Sequence, residues 1–173
     1  HPTKKQSKAI SDVEKRMVTV MTCLVRGIQI GVMLHQVRHS TYVTSESSII
    51  NAVLRGTNFT APTVASLRLA LFTADPTDAG NINEVATGTW YTRQLTGTFT
   101  APAPSGSTQQ SSNVASITFP AVTVAAVTVT HIGIFDAATA GNMLFSAPMT
   151  SSKTLQVGDV LSFAPGTIVA SLD

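Results

Sequence analysis

At 173 residues the chain has the length of one ordinary domain, or of a domain with an appendage. Hydrophobic residues make up 43% and charged residues 12%, the reverse of the balance that keeps a chain unfolded. A single cysteine, Cys23, excludes an internal disulfide framework and a multi-cysteine zinc site, and a net charge of +2 is too small to argue for nucleic acid.

That charge is unevenly spread. Up to Thr44, Lys4, Lys5, Lys8, Lys15, Arg16, Arg26 and Arg38 stand against Asp12 and Glu14, seven against two, leaving +5. Beyond Thr44 four basic residues stand against seven acidic ones, leaving −3. This asymmetry predicts a basic N-terminal arm, residues 1–44, joined to a mildly acidic body, residues 45–173. The arm's seven cations are then the expected partner-binding residues, suited to an acidic surface. The plainer reading is a solvated helix that only aids solubility.

Within the arm, Ser11-Asp12-Val13-Glu14 has the spacing of a capping box, in which serine and glutamate satisfy each other's backbone donors. Ile10, Val13, Met17, Met21, Leu24 and Ile28 follow at helical spacing, which predicts a helix over 12–26. Past Gly27 the apolar residues Ile28, Ile30, Val32 and Leu34 recur at every second position, predicting a strand over 28–34. The stretch from Met17 to Val37 approaches the length of a membrane span. Arg26 near its centre would cost about 2.5–3.5 kcal/mol, and no small-residue cleavage site follows, so no span is expected. A short helix over 46–54, capped by Ser45 and closed by Gly56, opens the body.

After Gly56 the sequence turns to Thr, Ser, Ala and Val with recurrent Pro and Gly, and no helical period persists. Leu67, Leu69 and Leu71 alternate with Arg68 and Ala70, predicting a half-buried strand. Strands are expected next over 90–96 and 114–119, separated by a polar, flexible loop from Ala101 to Asn113. Val122 to Phe135 is the most β-rich portion, and Ile132-Gly133-Ile134-Phe135 is apolar in both alternation classes, as in a central strand. Residues 143–145, 154–155, 160–163 and 167–172 complete about eight or nine short strands. The pattern is mainly β: an antiparallel β-sandwich or jelly roll with a partly helical N-terminal arm.

Groups that carry chemistry are scarce. His131 is the only histidine of the body, and Asp136 lies an odd number of residues away, on the opposite side of one continuous strand. A triad assembled across the fold stays open, but no Gly-x-Ser-x-Gly elbow is present, and a histidine bonded to a backbone carbonyl is the preferred reading. No phosphate-binding glycine loop occurs. Asp75, Asp78, Asn81, Asn83 and Glu84 crowd oxygen ligands together as a weak calcium candidate, although the spacing is not that of an EF-hand and the same letters build ordinary Asx turns. Trp90, Tyr91 and Arg93 offer a stacking platform for a base or a sugar. The competing reading buries Trp90 and pairs Arg93 with Glu84 or Asp136. Neither a cofactor nor direct nucleic-acid contact is expected.

Several blocks resemble a family of small bacteriophage virion proteins often labelled tail-fibre proteins. They are Leu71-Phe72-Thr73, Asp75-Pro76-Thr77, Glu84-Val85, Tyr91-Thr92-Arg93-Gln94, Ile117-Thr118-Phe119-Pro120, Gly141-Asn142-Met143-Leu144-Phe145 and Gly158-Asp159. The most specific block is His131-Ile132-Gly133-Ile134-Phe135-Asp136, and the resemblance covers about residues 47–173. It implies a structural, non-enzymatic part of a phage particle that binds other virion proteins. One domain of this size spans only about 30–40 Å. On that ground a capsid cement or decoration protein, docked on the major capsid protein, is the first expectation. A tail fibre component comes second and a glycan-binding module using Trp90 and Tyr91 third. A homo-oligomer is expected, because exposed strand edges and apolar content favour neighbours.

Overall fold

The structure, a computed structural model, describes residues 19–25, 28–34, 43–77, 80, 82–88 and 90–172. It begins with a pair of strands, β1 (Thr19–Val25) and β2 (Ile28–Leu34), followed by helix α1 (Val43–Arg55). The body continues through β3 (Arg68–Phe72), β4 (Gln94–Leu95), β5 (Ala103–Ser105), β6 (Thr108–Ser112) and β7 (Ile117–Thr118). It closes with β8 (Val127–Phe135), β9 (Met143–Leu155), β10 (Leu161–Phe163) and β11 (Val169–Leu172). The protein is mainly β, as the alternation patterns predict. Its strands form three open antiparallel sheets, ordered β2-β1-β10-β7, β11-β6-β5 and β4-β3-β8-β9.

The helix expected over 12–26 is corrected over its described part, because Thr19–Val25 is strand β1; residues 12–18 lie outside the described residues. Thr19, Val20, Thr22 and Val25 are β-branched and stiff at χ1. They also meet a full-length partner, pairing from Thr19↔Leu34 to Val25↔Ile28. A complete antiparallel ladder outweighs the helical spacing of Met21 and Leu24. Strand β1 also pairs with β10 through Cys23↔Phe163.

Three further expectations change. Strand β3 is not half-buried: Leu69, Ala70, Leu71 and Phe72 are all fully buried. Leu69 and Leu71 face the main core, while Ala70 and Phe72 join Phe135 and Met143 in a second small cluster on the other side. The segment expected as a flexible polar loop contains the hairpin β5–β6, paired through Ser105↔Thr108. Gly106 takes φ +63° at its tip, which a residue without Cβ adopts at no steric cost. Of the strand expected over 90–96, only Gln94–Leu95 is paired as one.

Strand β8 lies between β3 and β9, and its end, Ile132–Phe135, is buried on both faces as expected. Gly133 permits this layering, because a Cβ there would meet Phe72 Cε2 at 3.0 Å and Met143 Sδ at 3.1 Å. The register with β9 shifts between Val129 and His131, where Pro148 stands opposite His131. Proline has no amide to give to the ladder. The main core then gathers Leu69, Ile117, Phe119, Ile132, Leu161 and Phe163 from all round the body.

Candidate functional site

The polar residues of the recognisable blocks converge on one buried clamp. Arg93 donates from Nε to Glu84 Oε1 at 2.8 Å and from Nη2 to Glu84 Oε2 at 2.7 Å, a two-pronged ion pair. Tyr91 donates its hydroxyl to the same Glu84 Oε1 at 2.8 Å and accepts the amide of Leu71 at 3.1 Å. The second Arg93 Nη donates to the carbonyls of Ala137 and Ala140, and the guanidinium carbon lies 3.5 Å from the centroid of the Phe135 ring. Burial above all pushes the Tyr91 phenol well above its ordinary value, so it stays a donor.

Asp136 continues the clamp rather than pairing with Arg93. Its Oδ1 accepts the Asn142 amide at 2.7 Å, and its Oδ2 accepts Asn142 Nδ2 at 2.8 Å. This turn requires Gly141, whose φ is +72° and whose missing Cβ would press on Ala137 Cβ at 2.7 Å. Glu84, Tyr91, Arg93 and Asp136 are thereby committed to internal bonds. A carboxylate held at both oxygens is poorly placed to take a proton from a substrate.

The remaining sequence candidates separate. Asp75 Oδ1 accepts the amide of Thr77 at 2.8 Å, an Asx turn, and its carbonyl accepts Asn83 Nδ2 at 2.7 Å. Glu84 points instead to Arg93, while Asp78 and Asn81 lie outside the described residues. Among the described residues no group of three or more His, Cys, Asp or Glu side chains is placed to hold a metal ion. His131 Nδ1 lies 2.8 Å from Thr130 Oγ1, a hydroxyl partner in place of the expected carbonyl. Trp90 and Tyr91 pack edge to face at 5.8 Å inside the core, which withdraws both rings from any sugar or base. Lys4, Lys5, Lys8, Lys15, Arg16, Arg26 and Arg38 lie outside the described residues. No helix among the described residues is long and apolar enough to cross a membrane.

One open face is apolar. Helix α1 carries Ile49, Ile50, Val53 and Leu54 along one side, and they are 47, 54, 74 and 76% exposed. Ser48, Asn51 and Ala52 are the half-buried positions of the same stretch. The helix therefore shows its apolar stripe outward, the reverse of the usual arrangement. Beside it a groove of about 480 Å³ is lined chiefly by Ile49, Phe59, Leu67, Phe99, Leu144 and Phe145. None of the residues that line it is charged. The signal for this surface was present in the sequence as the stripe on α1. Apolar residues are ordinarily assigned to a core, so the sequence alone did not mark it as exposed.

The body is mainly β, its recognisable motif is spent on its own scaffold, and an apolar face stands open. Residues 38–171 match the family described as podophage GP4 fiber I protein gp80. The chain belongs to that family. The match begins ahead of α1, somewhat earlier than the resemblance indicated, and includes the clamp, the groove and α1. No curated protein matches the chain.

Proposed function

We propose that this chain is a structural module of a phage tail fibre, which works by binding other virion components and transforms no substrate. The observation that carries this reading is the division of labour just described. The polar side chains best suited to chemistry are consumed by the clamp, and the groove beside α1 is open, uncharged and apolar. Such a surface suits burial against protein.

The family description favours the tail over the capsid shell, so the cement reading, placed first on size, gives way. The size argument itself changes sign. A module of about this size would contribute to a fibre by joining to other modules. The basic segment ahead of residue 19 would serve as a tether to an acidic neighbour in the particle. Gold-labelled antibody against the chain, imaged on intact particles by electron microscopy, tests the reading. Label on the tail appendages is expected. Label spread over the shell would restore cement, and turnover of a substrate by the purified chain would end the binding-only account.

A further inference from the structure

We propose that the outward stripe of α1 in one copy seats in the apolar groove of a second copy of this chain. The proposal rests on the reading of the chain as a self-assembling virion module, and it names the contact that does the assembling. The stripe is convex and runs about 8 Å along the helix from Ile49 to Leu54, and the groove is concave, uncharged and lined in part by Ile49 of the same helix. Joining stripe to groove puts a convex surface on a concave one. It also covers the stripe and the groove with a single kind of contact.

The other occupants fit less well. The chain's own first eighteen residues carry Lys4, Lys5, Lys8, Lys15 and Arg16, and a groove without a carboxylate offers them no counter-charge. A small apolar molecule would fill the groove and leave Val53 and Leu54 in water. Two stripes meeting face to face would leave both grooves empty. Stripe and groove meet at Ile49, so the contact is either reciprocal, each copy seating its stripe in the other's groove about a two-fold axis, or head to tail, closing into a ring or extending into a string of modules.

Sedimentation of the full chain with two variants tests this. In one variant Val53→Ser and Leu54→Ser spoil the stripe and spare the groove. In the other Ala61→Arg places a charge at the groove wall and spares the stripe. Ala61 lines the groove and is exposed, as are Val53 and Leu54, so neither variant disturbs the core. Ile50→Ser provides a second disruption of the stripe should the double variant misfold.

The wild-type chain is expected to run above the mass of one chain. Each variant is expected to associate about a hundredfold more weakly, with its melting temperature unchanged. An equimolar mixture of the two should recover a species of twice the single-chain mass, because the intact stripe of one finds the intact groove of the other. A wild-type chain at single-chain mass overturns the proposal, and so does a variant that keeps its mass. A groove variant that keeps its mass points to a symmetric helix pairing, and a mixture that stays at single-chain mass also overturns the proposal. Association that emerges only after deletion of residues 1–18 would show that the chain's own arm fills the groove. These results are independent of the gold label. A single-chain protein labelled on the fibre refutes the contact and keeps the fibre, whereas an assembling protein labelled on the shell does the opposite.

Discussion

The clamp around Glu84 and the helix α1 use their distinctive residues in opposite ways. In the clamp, ionisable side chains that look functional are turned inward and satisfied by one another, by backbone carbonyls and by an aromatic ring. In α1, plain aliphatic side chains that look structural are turned outward and left in water. A recognisable motif can therefore mark how a body is held together, while the surface that meets a partner is written in ordinary letters. Within the buried network each member is the partner of another, so replacing one leaves the next unsatisfied.

The comparison breaks most visibly at Glu84. Its side chain is 16% exposed and that of Arg93 is 7%, so the pair is largely screened from water. Replacing Glu84 by Ala leaves the Arg93 guanidinium without its carboxylate and the Tyr91 hydroxyl without its acceptor. Loss of one partner from a buried pair costs about 3–5 kcal/mol. Urea denaturation of Glu84→Ala against the wild type measures it. A loss below about 1 kcal/mol would mean that the guanidinium is solvated, in the range of an exposed pair.

Two truncations to Ala sharpen the contrast. Ile132, in the centre of β8, is 1% exposed and belongs to the main core, and its truncation should cost about 2–5 kcal/mol. Val53, in the stripe of α1, is 74% exposed, and its truncation should fall within about 0.5 kcal/mol when the chain is dilute enough to be single. Repeated at a concentration where copies associate, the Val53→Ala loss should grow while that of Ile132→Ala stays constant. Thermal melts across a dilution series make the measurement. A Val53 cost that does not change with concentration would assign the stripe to an internal packing role.

Legibility in the sequence followed how local the deciding physics was. The strand at Ile28–Leu34, the helix ahead of Gly56 and the two-sided burial of Ile132–Phe135 each depend on a few neighbouring residues, and alternation or capping exposes them directly. Thr19–Val25 was misread because its helical spacing is local, whereas the ladder to β2 and the pairing with β10 are not. The half-buried reading of β3 failed for a similar reason, since only the fold brings Phe135 and Met143 over Ala70 and Phe72. Of the two pairings offered for Arg93, Glu84 was the one formed, and nothing in the spacing chose it over Asp136. Periodicity groups Ile49, Ile50, Val53 and Leu54 on one side of α1 but holds no record of whether that side meets the body or water.

The smallest expected effect concerns acid. His131 is half-buried in β8, and burial lowers its pKa from the ordinary 6.5, with the Asp75 carboxylate offsetting part of that shift. A histidine with a depressed folded pKa stabilises the fold fully above about pH 6.5. As the pH falls below that value the unfolded chain takes up the proton first, and the contribution disappears on the way down to the folded pKa. The melting temperature should therefore decline through this window, and His131→Gln, which cannot titrate, should flatten the decline. The stripe and groove contain no group that titrates there, so the sedimenting mass should hold constant over the same range. Stability that falls while association persists would separate the body from the contact surface in one titration. Parallel curves for His131→Gln and the wild type would instead assign the acid response to the histidines outside the body, His1, His35 and His39.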